Sequence, residues 1–147
     1  MLVEAMVPRA RQRLLVIADG AQLIEAARLL RERDADIVAV CESSGRLAGV
    51  ITKTDIVRQI SHCQGAGSTV AAAAVMTPNP VVCHPDEWLR DAWASMKECR
   101  LKNLPIMDRD SRPFGMLNAR DALEGLVQDV ENEKALLLDY VMRVGYR

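Results

Sequence analysis

The chain has 147 residues, half of them hydrophobic and 27% charged, with a formal net charge of −1. That length holds one ordinary domain or two very small ones sharing a core. The near-zero charge lacks the basic excess of a nucleic-acid-binding surface, and one Phe, two Tyr and two Trp are few for base-stacking platforms. No apolar run approaches the ~20 residues that span a bilayer, so no membrane association is expected. The first residues, with Glu4 and no apolar core, do not read as a signal peptide. Cys41, Cys63, Cys83 and Cys99 form no CxxC pair, and three of them sit in apolar or helical surroundings, as free thiols do in a reducing compartment. A cytoplasmic protein without a metal site is the expectation.

In chain order, a basic cluster comes first: Arg9, Arg11 and Arg13, either a solvated entry segment or a contact to a phosphate or an acidic partner. A short apolar strand follows at Leu15–Ala18. Leu23, Ala26, Ala27 and Leu30 then recur at the helical period. Ile37–Cys41 and Leu47–Ile51 are strands around the polar turn Glu42–Arg46, which predicts a hairpin, and a helix begins near Lys53. Ser61–Thr69, with Gly65, Gly67 and Ser68, reads as a loop.

The series then repeats. The strands are Val81–Cys83, Leu104–Met107 and Phe114–Leu117, with helical positions at Leu89, Ala92, Trp93 and Met96, a turn at Asp108–Arg112 and a helix from near Ala119. Shifted by 66 positions, the sequence lies on itself without a gap from Val16 to Ile60. Val16 meets Val82, Leu23 meets Leu89, Ala26 meets Ala92, Gly49 meets Gly115 and Asp55 meets Asp121. A register held that long over a matching apolar pattern marks a true repeat. Units of about 50 residues bury little surface alone, so the two copies are expected to share a core in pseudo-twofold symmetry. From about Val127 to Val144 the pattern is helical, and Leu126, Val130, Leu137, Tyr140 and Val141 fall near one face, which predicts a separate amphipathic helix for dimer contact or packing.

Several segments resemble the CBS domain. Val75-Met76-Thr77-Pro78-Asn79-Pro80-Val81-Val82 resembles its opening, and Leu104-Pro105-Ile106-Met107-Asp108 its central strand. Gly49-Val50-Ile51-Thr52-Lys53-Thr54-Asp55 and Phe114-Gly115-Met116-Leu117-Asn118-Ala119-Arg120-Asp121 resemble its closing segment. The resemblance implies an α/β (α+β) fold: two β-α-β-β-α CBS repeats forming a Bateman module, at 1–62 and 70–127, with a linker at 63–69 and a C-terminal helical tail at 128–147. It also implies a homodimer and an adenosine-containing ligand: AMP, ADP, ATP or S-adenosylmethionine, with no obligatory cofactor. The expected role is regulatory, signalling to a separate partner protein, because no enzyme domain is attached. No catalytic motif or acid–base pair stands out, so no catalytic residue is assigned. The alternative is a structural or protein-interaction dimer module with degenerate nucleotide sites.

The candidate site residues have two readings. Thr52-x-x-Asp55 at a helix start has the spacing of a capping box. An ionised carboxylate also suits a ribose diol, and a helix start favours an anion. In the second copy Asn118 stands where Thr or Ser is usual and Asp121 is retained, so the ribose criterion favours the first copy. The resemblance puts the adenine between the first strand, at Val82, and the residues around the central proline. Asn103, Leu104 and Pro105 follow the family pattern, whereas Ile37 and Val38 precede Ala39 and no proline. That criterion favours the second copy. Lys53 and Arg120 are candidates for phosphate. One working site, two or none are all open at this point.

Overall fold

The computed structural model describes residues 1–63 and 69–145. A 3₁₀ turn at Val3–Met6 leads into α1, Val7–Arg13. The first copy follows as β1 (Val16–Ala18), α2 (Leu23–Glu32), β2 (Ile37–Cys41), β3 (Leu47–Thr52) and α3 (Lys53–Cys63). Then come α4 (Ala72–Val75), β4 (Thr77–Pro78), α5 (Leu89–Cys99), β5 (Asn103–Met107), β6 (Pro113–Asn118) and α6 (Ala119–Gly145). The expected loop at 61–69 lies mostly outside the described residues.

The hairpins form as the pattern predicts. β2 pairs antiparallel with β3, and β5 with β6, each with a register shift at the same repeat position, Val40/Cys41 and Ile106/Met107. The helices bury the expected stripes: Leu23, Ala26 and Leu30 in α2, and Leu89, Ala92 and Met96 in α5. Each of these helices ends on a left-handed residue, Asp34 or Arg100, which are repeat-equivalent. Ala35 N–H and Leu101 N–H then reach back to Leu30 O and Met96 O, both at 2.9 Å, closing the last turn as a six-to-one bond does.

The first strands differ. In the first copy, β1 runs parallel to β2, and Ala39 N–H donates to Leu15 O at 2.8 Å. The equivalent residue in the second copy is Pro105, which has no N–H to give. There the expected strand Val81–Cys83 shrinks to a bridge at Cys83, whose N–H donates to Pro105 O at 2.9 Å. Cys41 and Cys83 are buried, and desolvation pushes the Cys83 thiol up to about 12, with Glu87 adding to it.

The copies are completed by exchange. Val3, Met6 and Ala10, which open the first copy ahead of β1, join the core of the second with Leu89, Met96, Leu104 and Ile106. Ala72, Val75 and Met76, which open the second copy, pack on the core of the first, with Leu23, Val38 and Ile51. Backbone bonds fasten both exchanges: Leu89 N–H to Met1 O at 2.9 Å, and Leu23 N–H to Val70 O at 2.8 Å. β4 also adds an antiparallel edge to β3. Two repeat-equivalent glycines admit the exchanged segments. A Cβ on Gly49 would lie 2.5 Å from Thr77 O, and one on Gly115 2.9 Å from Ala10 Cβ. Between the sheets, Ile37, Ala39, Val50 and Met116 form a third cluster. Strands buried on both faces explain why β2 and β5 read as continuous apolar runs.

The tail also departs from expectation. The tail is not a separate helix: α6 runs unbroken from Ala119 to Gly145. No Gly or Pro after Gly125 interrupts it until Gly145, and Gly125 costs only about 1 kcal/mol in a helix interior.

Candidate functional site

Two clefts lie where the copies meet, and each takes its walls from both. The first, about 470 Å³, is lined by Thr52, Lys53 and Asp55 of the first copy and by Val81, Asn103 and Pro105 of the second. The second, about 600 Å³, is lined by Asn118, Arg120 and Asp121 of the second copy and by Leu15, Asp36 and Ile37 of the first. Ile37 and Asn103 face both clefts. Val38 and Leu104 line neither. They are fully buried in the two cores, because alternate residues of a strand point to opposite faces. Val82 also lies outside both clefts.

The two sequence criteria, which favoured opposite copies, therefore favour the same cleft. The threonine-bearing helix start and the proline-bearing strand meet around Asp55. The asparagine-bearing helix start meets the segment without the proline around Asp121, and Ala39 itself is buried between the sheets.

At the first cleft, the capping box forms. Thr52 N–H donates to Asp55 Oδ2 at 2.9 Å, and Asp55 N–H donates to Thr52 Oγ1 at 3.2 Å. This uses one carboxylate oxygen and one hydroxyl lone pair. The Thr52 O–H can still donate. Asp55 Oδ1 lies 3.7 Å from the exposed Arg58 guanidinium, too long for a hydrogen bond. Lys53 is 3.4 Å from Asp36 on the wall. Cap and ligand contact are thus compatible at Asp55.

The second cleft is wired differently. Asn118 Oδ1 accepts from Arg120 N–H at 3.0 Å and Asp121 N–H at 3.3 Å, and its Nδ2 donates to Asn103 Oδ1 at 3.2 Å. Asp121 is 6% exposed. The Arg13 guanidinium grips it two-pronged, Nε to Oδ2 and Nη2 to Oδ1, the latter at 3.0 Å, and Arg9 stands 3.8 Å away. That bond, opposed by burial, raises the Arg13 pKa above its ordinary value. A bidentate charge-assisted pair is among the stronger polar contacts. It also engages both oxygens, which a diol would have to share with the guanidinium.

Sequence reasoning missed what decides between the clefts. Carried three residues beyond its start, the repeat register sets Arg13 opposite Asn79. Asn79 lines the first cleft with a left-handed backbone, φ 48°, and its short neutral side chain brings no charge to Asp55. The signal was present but fell outside the stretch read as a repeat.

The family model of the CBS domain matches the chain at residues 4–62 and again at 72–128. The chain is 30% identical over 105 residues to a homoserine O-acetyltransferase of Methanohalobium evestigatum, covering 71% of this chain and 20% of that protein. It spans about a fifth of the length of the first curated relatives it matches. Among solved structures, the CBS domain pair of protein MJ0100, in complex with 5′-methylthioadenosine and S-adenosyl-L-methionine, superposes with a TM-score of 0.74 at 19% identity, covering 88% of this chain and 98% of that one. CBSX2 in complex with AMP superposes with a TM-score of 0.70 at 26% identity, covering 81% and 91%.

Proposed function

The chain belongs to the CBS domain family, and from that premise we propose that it is a regulatory module that binds one adenosine-containing nucleotide in the Asp55 cleft and reports its occupancy to a separate partner protein. The carrying observation is the crosswise build of that cleft. It joins Thr52 and Asp55 to Asn103 and Pro105 and leaves Asp55 Oδ1 without a close partner. Asp55 then receives the ribose diol, and Thr52 donates to the ribose or phosphate. Lys53 neutralises phosphate, while Val81 and Asn103 form the wall for the base. AMP, ADP, ATP and S-adenosylmethionine share the adenosine this arrangement fits. The AMP bound by CBSX2 supports the first of these. Regulation follows if the ligand binds one packing of the two copies better than another.

Thermal unfolding against those four ligands tests the reading. A ligand at about 100 times its dissociation constant adds roughly 2.7 kcal/mol, a rise of roughly 5–10 °C for a chain of this size. Asp55→Ala is expected to abolish the rise and Asp121→Ala to leave it. No rise with any ligand, or a rise lost only in Asp121→Ala, overturns the assignment. The absence of any rise would favour the interaction-module reading, in which Thr52 and Asp55 serve α3 alone as its cap.

A further inference from the structure

We infer that the outer half of α6 is a self-association element that pairs with the same segment of a second copy, antiparallel. The ligand reading has no part in this. α6 packs on the second core through Ala122 and Leu126. From Val130 to Val144 every side chain is exposed, although the segment carries Leu136, Leu137, Leu138, Tyr140, Val141 and Met142. A single helix standing off its module with this much apolar surface is an unfinished interface.

The spacing identifies what completes it. Leu123, Val127, Val130, Lys134, Leu137, Val141 and Val144 follow one another at alternating steps of four and three. That 3.5-residue period keeps one seam facing one partner helix. Leucine or valine fills one set of seam positions, and Val127, Lys134 and Val141 the other. The single lysine in that second set is a polar interruption of the seam, which fixes how the helices pair at some cost in stability. A parallel pair would set Lys134 against its own copy. An antiparallel pair centred between Ala135 and Leu136 matches Val127 with Val144, Val130 with Val141, and Lys134 with Leu137. It opposes no like charges in the seam, and each Lys134 comes about one turn from Glu133 of the other copy. With Leu138 and Tyr140 at its edges, the face presents eight apolar side chains, each between 46% and 66% exposed, over about six turns of helix, a strip long enough for two copies to approach the roughly 1,000 Å² a specific interface needs.

Sedimentation of the full chain over a concentration series tests this. The wild type is expected to self-associate. Val130→Glu with Leu137→Glu is expected to weaken association by roughly a hundredfold or more, about 2.7 kcal/mol, with the melting temperature of the module unchanged. Leu136→Glu, at 71% exposure and off the seam, is expected to leave it intact. Lys134→Leu is expected to strengthen it by about tenfold. With Cys63 and Cys99 replaced by serine, Val130→Cys plus Val141→Cys is expected to form a disulfide-linked dimer and Val130→Cys alone none. Association unchanged by the double glutamate variant, lost equally in Leu136→Glu, or absent in the wild type overturns the inference. So does binding of the wild type to anionic phospholipid vesicles in place of self-association. A dimer cross-linked through Val130→Cys alone overturns the antiparallel register.

Discussion

The two clefts occupy equivalent places in a repeated fold, but their carboxylates are committed differently. Asp55 turns one oxygen back to the Thr52 N–H and leaves the other beside a loosely placed arginine. Asp121 has both oxygens in the fork of Arg13, and its helix start is capped by Asn118 alone. The difference traces to residue pairs one repeat apart: Thr52 and Asn118, Ala39 and Pro105, Asn79 and Arg13. A duplicated fold supplies two cavities of the same shape. Which of them can take a polar ligand depends on whether its hydrogen-bonding groups are already satisfied from within.

That comparison can be broken at each pair. The largest effect is expected where the strands differ. Ala39→Pro removes the bond to Leu15 O inside a buried ladder and should cost about 3 kcal/mol. Pro105→Ala removes no donor and loses only the packing of a buried ring, so it should cost less, about 1–2 kcal/mol, and chemical denaturation of the two variants compares them. Next is the choice between clefts. Asn79→Arg should bring to Asp55 the clamp that Arg13 applies to Asp121 and weaken nucleotide binding there by about a hundredfold, read by calorimetry. Binding that survives Asn79→Arg unchanged would mean the clamp is not what distinguishes the clefts. Smaller effects attend removal of the arginines. Arg13→Ala leaves a buried carboxylate without its partner and should cost roughly 1–2 kcal/mol. Arg58→Ala removes a loose exposed pair and should cost no more than about 0.5 kcal/mol. Equal costs would contradict the difference in burial between Asp121 and Asp55.

Much of the fold was legible because period and punctuation act locally. The stripes Leu23–Ala26–Leu30 and Leu89–Ala92–Met96 and the two hairpins around polar turns need only near neighbours to be read. Val81–Cys83 has the apolar pattern of a strand, but a proline in another strand, Pro105, denies it a rung. The tail's apolar pattern continues beyond the repeat like that of a separate helix, whereas the backbone has no reason to break there. Val38 and Leu104 stand in line with the site residues, and the alternation of β2 and β5 turns them into the cores instead.

The sequence by itself determined the repeat, its elements, the family and the residue types able to meet a nucleotide, since these depend on spacing along the chain. Only the tertiary structure decided which helix start shares a cleft with which strand. It crosses the copies so that Thr52 and Asp55 meet Asn103 and Pro105, and it places Arg13 on Asp121, 108 positions away. Contacts of that separation are set by how two half-cores close on each other, with the opening segment of each copy packed into the other, and no local pattern encodes that closure.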